Sequence, residues 1–237
     1  MLTLVNYVFN RPSVPSPSVE DYIKAIYKAH ADNGSVATQE LAERLHVSAP
    51  AVSKMMRKLS ALKLLTHAPY QGVKLTGAGE KLALEIIRHH RLIELYLVRA
   101  MGFSWDNVHE EAERLEHHIS EEFEDKIDEL LGHPTACPHG DPIPTRAGTI
   151  APTTDRPLAL ERSPARLIVR RVSDEDAELL RHFQALGVTP GTAIELVTQE
   201  PFEGPLVLKV GGKRVRLTPQ AAKKVFVDAI TTGKGGK

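Results

Sequence analysis

Apolar residues recur at Val19, Tyr22, Ile23, Ile26 and Tyr27, a helical spacing that predicts a helix over SVEDYIKAIYKAHADN, with Ser18 as its cap and Gly34 at its end. TQELAERLHV predicts a second helix, capped by Thr38, with Leu41, Ala42 and Leu45 turned inward. SAPAVSKMMRKLSALKLL predicts a third, beginning at Ser48 and carrying Pro50 in its first turn. LLTHA and GVKLT follow as short β segments around Pro69-Tyr70-Gln71-Gly72, which is a hairpin signal. Leu82, Ile86, Ile93 and Leu97 mark a long helix from Gly77 to about Ala100, capped by Thr76 and broken by Gly102. A further helix is expected from about Asn107 to Leu131, stopped by Gly132-His133-Pro134. The pattern then changes. RLIVRRVS, TAIELVTQE, LVLKVGG, KRVRLT and KKVFVDAI read as strands, with one helix, Asp174 to Leu186, between the first two. Short strands with Gly/Pro turns predict a small β-barrel.

This order divides the chain into a flexible arm (1–17), a winged helix-turn-helix (18–76), a helical domain (77–145), a linker (146–165), a small β domain (166–230) and a flexible tail (231–237). The fold class is therefore mainly α with a small β-barrel domain. The seven prolines between residues 133 and 164 support an extended connector there.

Composition narrows the function. No run of about 18 apolar residues exists, so no membrane span is expected, and MLTLVNYVFNRPS lacks the basic start and cleavage site of a signal peptide. Cys137 is the sole cysteine, which excludes an intrachain disulfide and disfavours a thiolate-rich zinc or iron–sulfur site. Together these point to the cytoplasm. The net charge of zero hides an asymmetry: residues 1–75 carry 9 Lys/Arg against 5 Asp/Glu, residues 76–142 carry 6 against 15, and residues 143–237 carry 15 against 10. A basic first segment suits a polyanion and an acidic middle segment suits cations, although a solvated helix face gives the same imbalance.

Helix, tight turn, helix and hairpin is the winged helix-turn-helix plan, in which the second helix of the pair enters the major groove by its N-terminal residues. Here these are Ser48, Pro50, Ala51, Ser53 and Lys54. The serines can bond to bases or phosphates, Lys54 can reach guanine or phosphate, and Pro50 and Ala51 offer apolar surface to a thymine methyl. Arg57 and Lys58, one turn on, suit phosphate, and Tyr70, Gln71 and Lys74 fall at the wing. A three-helix core with exposed basic residues would look similar.

The acidic middle holds VHEEAERLEHH. On a helix advancing about 100° per residue, His109, Glu113, Glu116 and His117 share a stripe about 100° wide. The preceding helix offers His90 and Glu94 one turn apart. Carboxylates mixed with imidazoles suit a hard to intermediate divalent ion. A uniformly acidic solvated helix is the bland alternative, and a di-metal bundle enzyme would need paired Glu-x-x-His motifs where only one exists.

SVEDYIKAIY, SAPAVSKMMRKL, RHHRLIELYL, VHEEAERLEHHIS and CPHGDPIP, in that order over residues 18–144, resemble the diphtheria-toxin-repressor family, including its manganese transport regulator branch. ALGVTPGTAIEL is similar to the SH3-like domain of its longer members. The resemblance implies a metal-activated repressor that binds palindromic operator DNA as a homodimer and controls metal-uptake genes. It implies a primary metal position at Asp21, Glu113, Glu116 and His117, and an ancillary one at His90, Glu94 and His109, with Asp174 and Glu175 added from the third domain. The iron-responsive branch has methionine and cysteine where this chain has Asp21 and Glu113; oxygen donors there favour Mn(II), with Fe(II) open. Lys24 stands where short manganese regulators carry another glutamate, so their binuclear geometry does not transfer. No nucleophile elbow, phosphate loop or His-Glu-x-x-His motif points to an enzyme. A winged-helix regulator insensitive to metal, and a peptide-binding role for the β domain, remain as alternatives.

Overall fold

The computed structural model describes residues 16–33, 36–68, 72–162 and 164–230; residues 1–15 of the expected arm, Gly34, the wing residues Tyr70 and Gln71 and the tail lie outside them. The chain divides into two compact units, residues 1–87 with 146–149, and residues 88–145 with 150–237.

In the first unit, α1 (Pro17–Asn33) buries Val19, Ile23 and Ile26, three positions on one stripe. It starts one residue before Ser18, with the Ser16 carbonyl accepting from the Val19 amide at 2.7 Å. α2 (Thr38–Arg44) begins at Thr38 itself, so Ala37 is its cap and no side chain caps it. His46, in the left-handed region at φ 53°, makes the tight turn to α3 (Ala49–Ala61). Ser48 caps α3 by accepting from the Ala51 amide. Val52, Met56 and Leu59 of α3 pack with Leu41 and the α1 stripe in one core. β1 (Leu65–Ala68) and β2 (Gly72–Leu75) pair antiparallel, Leu65 opposite Leu75. Thr76 caps the next helix through the Gly79 amide and donates to the Lys63 carbonyl at 2.8 Å. Gly79 is required: a Cβ there would lie 2.2 Å from the Leu64 carbonyl oxygen.

That helix, α4 (Gly77–Met101), supplies residues to both units. In the second unit it ends at Gly102 (φ 74°), with the Phe103 amide on the Leu97 carbonyl. Where one helix is expected from Asn107 to Leu131 there are two, α5 (Val108–Leu115) and α6 (Glu121–Leu130). Ser120 accepts from the Phe123 amide and opens α6, and Glu121, Glu122 and Glu124 in its first turn favour a new N-terminus at that point. Two small cores join these helices: Leu92 and Leu95 with Ile127 and Ile143, and Ile93 and Leu97 with Val108 and Ala112.

The rest of this unit is an antiparallel sheet of order β3-β8-β4-β5-β6-β7. Its strands are β3 (Arg156–Pro157), β4 (Ala165–Val172), β5 (Ala193–Gln199), β6 (Leu206–Val210), β7 (Lys213–Leu217) and β8 (Val225–Ala229). The expected barrel is not closed: among the described residues the order begins at β3 and ends at β7, which pairs with β6. Register shifts at Val169/Arg171 and Leu196/Thr198 bend the sheet around its own core instead. α7 (Ala177–Leu186) covers that core with Leu180 and Phe183, and a short α8 (Pro219–Ala222) adds Ala221 and Ala222. α7 is capped by Asp176, which accepts from the Glu178 and Leu179 amides, so Asp174 and Glu175 precede the helix in which they were expected. β3 and the 3-10 turn Leu158–Leu160 fall in the expected linker, and Leu158 is fully buried in the sheet core.

Candidate metal centre and nucleic-acid interface

Burying Val52, Met56 and Leu59 turns the opposite face of α3 outward. Pro50, Ala51, Lys54, Arg57 and Lys58 are exposed there, with Ser53 half-buried and Ser48 at the helix start. The residues expected to read DNA from this helix therefore share one surface, with three cations on it.

In the second unit, α4 and α5 bring the acidic and imidazole side chains together. His90 is the hub. Its Nδ1 lies 2.6 Å from Glu116 Oε2 and 3.6 Å from Glu113 Oε1, and its Nε2 lies 3.1 Å from both Glu94 Oε1 and His109 Nδ1. His109 reaches Glu94 at 3.4 Å, Glu113 at 3.6 Å and Asp174 at 3.5 Å. His117 Nε2 lies 3.5 Å from Glu116 Oε1. Glu94 and Glu116 are buried, Glu113 half-buried. Donor atoms of His90, Glu94, His109 and Asp174 all fall within 4.8 Å of one another, as do those of His90, Glu113 and Glu116. The two positions expected to be separate are thus contiguous through His90. Glu116 and His117 follow the end of α5 rather than continuing a long helix, Glu116 keeping helical dihedrals as its C-cap. Glu175 pairs with Lys224 at 3.1 Å. Asp21 lies half-buried on α1, in the first unit.

A third donor group went unnoticed in the sequence: Glu94, Cys137 and His139, all buried. The turn that carries it is built by Cys137 N to Asp141 O and Gly140 N to Cys137 O bonds of 3.0 Å, and by Gly140 at φ 90°. A Cβ on Gly140 would lie 2.0 Å from the Arg170 carbonyl oxygen, so only glycine lets this turn lie against β4. The Val172 amide donates to the His139 carbonyl at 2.9 Å. The C-x-H spacing was the available signal.

The electrostatics are those of a cation site. Burial would push the His90, His109 and His139 imidazoles down, but the surrounding carboxylates win: His90 is raised, His109 reaches about 10 through Asp174 and Glu94, and His139 reaches about 11 beside Cys137 and Glu94. Burial raises Glu94, but His90, His109 and His139 together hold it well below the usual carboxylate range. Burial and Glu94 raise the Cys137 thiol to about 11. Without an ion, then, the carboxylates favour the protonated form of these imidazoles. Glu94 Oε2 and His139 Nδ1 are buried, 3.6 Å apart, with no hydrogen-bond partner among the described residues. Such orphaned atoms are costly. A divalent ion bound by carboxylate, imidazole and one thiolate would satisfy both, so the residues present fit one.

Comparison with known proteins agrees in all three segments. Residues 16–73 match the iron dependent repressor N-terminal DNA binding domain, residues 76–145 the iron dependent repressor metal binding and dimerisation domain, and residues 157–229 the FeoA domain. The iron-dependent repressor IdeR of Mycobacterium leprae is 30% identical over 225 residues, covering 90% of this chain and 97% of that one. The HTH-type transcriptional regulator MntR of Geobacillus kaustophilus is 36% identical over 118 residues, 50% of this chain and 83% of that one. A solved manganese-dependent transcriptional repressor in complex with manganese superposes with a TM-score of 0.85 at 36% identity, covering 90% of this chain and all of that one. Two of these relatives are named repressors and the third a transcriptional regulator, and no helix among the described residues is long and apolar enough to cross a membrane.

Proposed function

From its membership of the diphtheria-toxin-repressor family of iron-dependent repressors, with a C-terminal FeoA (SH3-like) domain, we propose that the chain is a metal-activated transcriptional repressor. It binds palindromic operator DNA as a homodimer in the cytoplasm, controls metal-ion uptake genes, and responds to Mn(II). One observation carries this: the contiguous set His90, Glu94, His109, Glu113, Glu116 and Asp174, buried or half-buried, which mixes carboxylates with imidazoles.

A bound divalent cation supplies the positive charge that lets these carboxylates stay close once the imidazoles have shed their protons. His90, Glu94, His109 and Asp174 would hold one ion. Glu113, Glu116 and His117, with Asp21 added by the family resemblance, would hold another. Mn(II) is favoured because Glu113 presents oxygen where the iron-responsive branch presents sulfur. Ser48, Pro50, Ala51, Ser53 and Lys54 read bases, and Arg57 and Lys58 hold phosphate, with Tyr70 and Gln71 at the wing. Metal and operator then raise each other's affinity by the same factor.

Fe(II) is the second reading, favoured by the buried Cys137 thiol beside Glu94 and His139, a softer donor than oxygen. The deciding experiment is operator binding by the full chain titrated with Mn(II), Fe(II), Zn(II) and chelator. Binding indifferent to chelator would remove metal gating. Unchanged metal dependence in Asp21→Ala would remove Asp21 from the donor set, and an unchanged Mn(II)/Fe(II) preference in Glu113→Cys would overturn the donor-softness argument.

A further inference from the structure

His139 is fully buried and its two ring nitrogens have different surroundings. Nε2 lies 2.7 Å from the Trp105 carbonyl oxygen. That oxygen only accepts, so Nε2 carries a proton and Nδ1 is the atom turned toward Glu94 and Cys137. The Trp105 indole also stacks on the imidazole, with ring centroids 5.6 Å apart and planes inclined by 24°. Trp105 sits in the short connection between α4 and α5, and it is held from the other side by the β domain. Its Nε1–H donates to Gln184 Oε1 of α7 at 2.8 Å, and its ring packs against the sheet core. The next residue, Asp106, is buried and accepts from Arg181 of α7 at 2.9 Å.

We propose that Trp105 is a positioning residue for the Glu94–Cys137–His139 donor group: held by Gln184 of the FeoA domain, with its neighbour Asp106 held by Arg181, it fixes the His139 ring with Nδ1 facing Glu94, so that the third domain sets the affinity of this group for a divalent ion. The inference rests on the metal reading above. Outer partners of a ligating histidine fix its tautomer and orientation, and their loss typically weakens metal binding 10- to 100-fold.

The test uses Co(II) as probe on the full chain. Cys137 is the sole cysteine, so thiolate-to-cobalt absorption reports this donor group and no other. Wild type, Trp105→Ala, Trp105→Phe, Gln184→Leu and Gln184→Glu are titrated, and the thermal unfolding of each metal-free protein is recorded. Trp105→Ala is expected to weaken the absorbing site by about tenfold or more. Trp105→Phe keeps a packed, stacked ring and loses less. Gln184→Leu weakens it by a few-fold, and Gln184→Glu, which retains an acceptor for the indole, restores it. Folded variants that titrate like wild type would overturn the positioning role, as would losses that track metal-free stability while the absorption is unmoved. If Trp105→Ala fails to fold, the surface pair at Gln184 decides the matter alone. Wild-type protein that binds Co(II) without thiolate absorption would instead refute Cys137 as a donor, a different result from an intact site indifferent to Trp105.

Discussion

Replacing Arg88 by methionine tests whether the scaffold under the metal cluster is held by charge. Arg88 is 7% exposed and its Nε donates to Glu124, which is 4% exposed. Its Nη2 lies 3.2 Å from Asp128, and its Nη1 donates to the Pro144 carbonyl at 2.9 Å. Methionine keeps most of the apolar stem, so the loss is almost wholly electrostatic. Removing one partner of a buried pair costs about 3–5 kcal/mol, because the other charge is left uncompensated. The lower end applies here: His89 stays on Glu124 at 3.1 Å, and Asp128 lies nearer to solvent. Arg88→Met should therefore destabilise the metal-free protein by about 3 kcal/mol, read from urea unfolding in the presence of chelator. Adding Glu124→Gln should recover a measurable part, since the more buried of the two carboxylates that Arg88 serves is then neutral. Burial raises Glu124, but His89 and Arg88 outweigh it and hold it below its ordinary value. Its contribution is thus complete above the usual carboxylate range and disappears as pH falls through the lowered value. The gap between wild type and Arg88→Met should narrow in acid. A loss under about 1 kcal/mol at neutral pH, or a gap that widens in acid, would refute the reasoning.

Lys54→Ala should cost about 1–3 kcal/mol of operator affinity and relax discrimination at one position of a footprint, whereas Arg57→Ala should weaken all sequences alike and lower the salt slope by about 1. Gly140→Ala forces a side chain into the Arg170 carbonyl at a left-handed φ; the Cys137–His139 turn should be displaced, seen as a lower unfolding midpoint and the loss of thiolate–cobalt absorption. Burial raises Asp106, but its bond to Arg181 and neighbouring donors bring it below its ordinary value. Asp106→Asn should therefore destabilise at neutral pH, with the difference from wild type vanishing in acid, as thermal unfolding across pH will show.

Much of this was legible in the sequence because local rules govern it. The exposed face of α3, the hairpin, the ends of α4 and five strands follow from periodicity and turn chemistry within a few residues. The acidic pattern runs on through Glu116 and His117 and so reads as one helix, although Ser120 ahead of Glu121, Glu122 and Glu124 is a capping signal of ordinary strength. Cys137 and His139 left only their C-x-H spacing as a signal, since their meeting with Glu94 depends on a glycine turn lying against β4. Asp174 and Glu175 are neighbours in sequence, yet one meets His109 and the other Lys224. The start of α7 decides between them, and no periodicity reports it. The open edges of the sheet were hidden for the same reason: closure depends on how bulged strands bend, not on their number.

The burial of Cys137 gives the protein an internal stopwatch. The thiol is buried, raised to about 11, and alone in the chain, so it reacts readily with an alkylating reagent only when its turn opens to water. The rate of that single modification, followed by mass, measures how often the turn unlatches. A ligand that clamps the turn would slow it, in a crude lysate as readily as in pure protein.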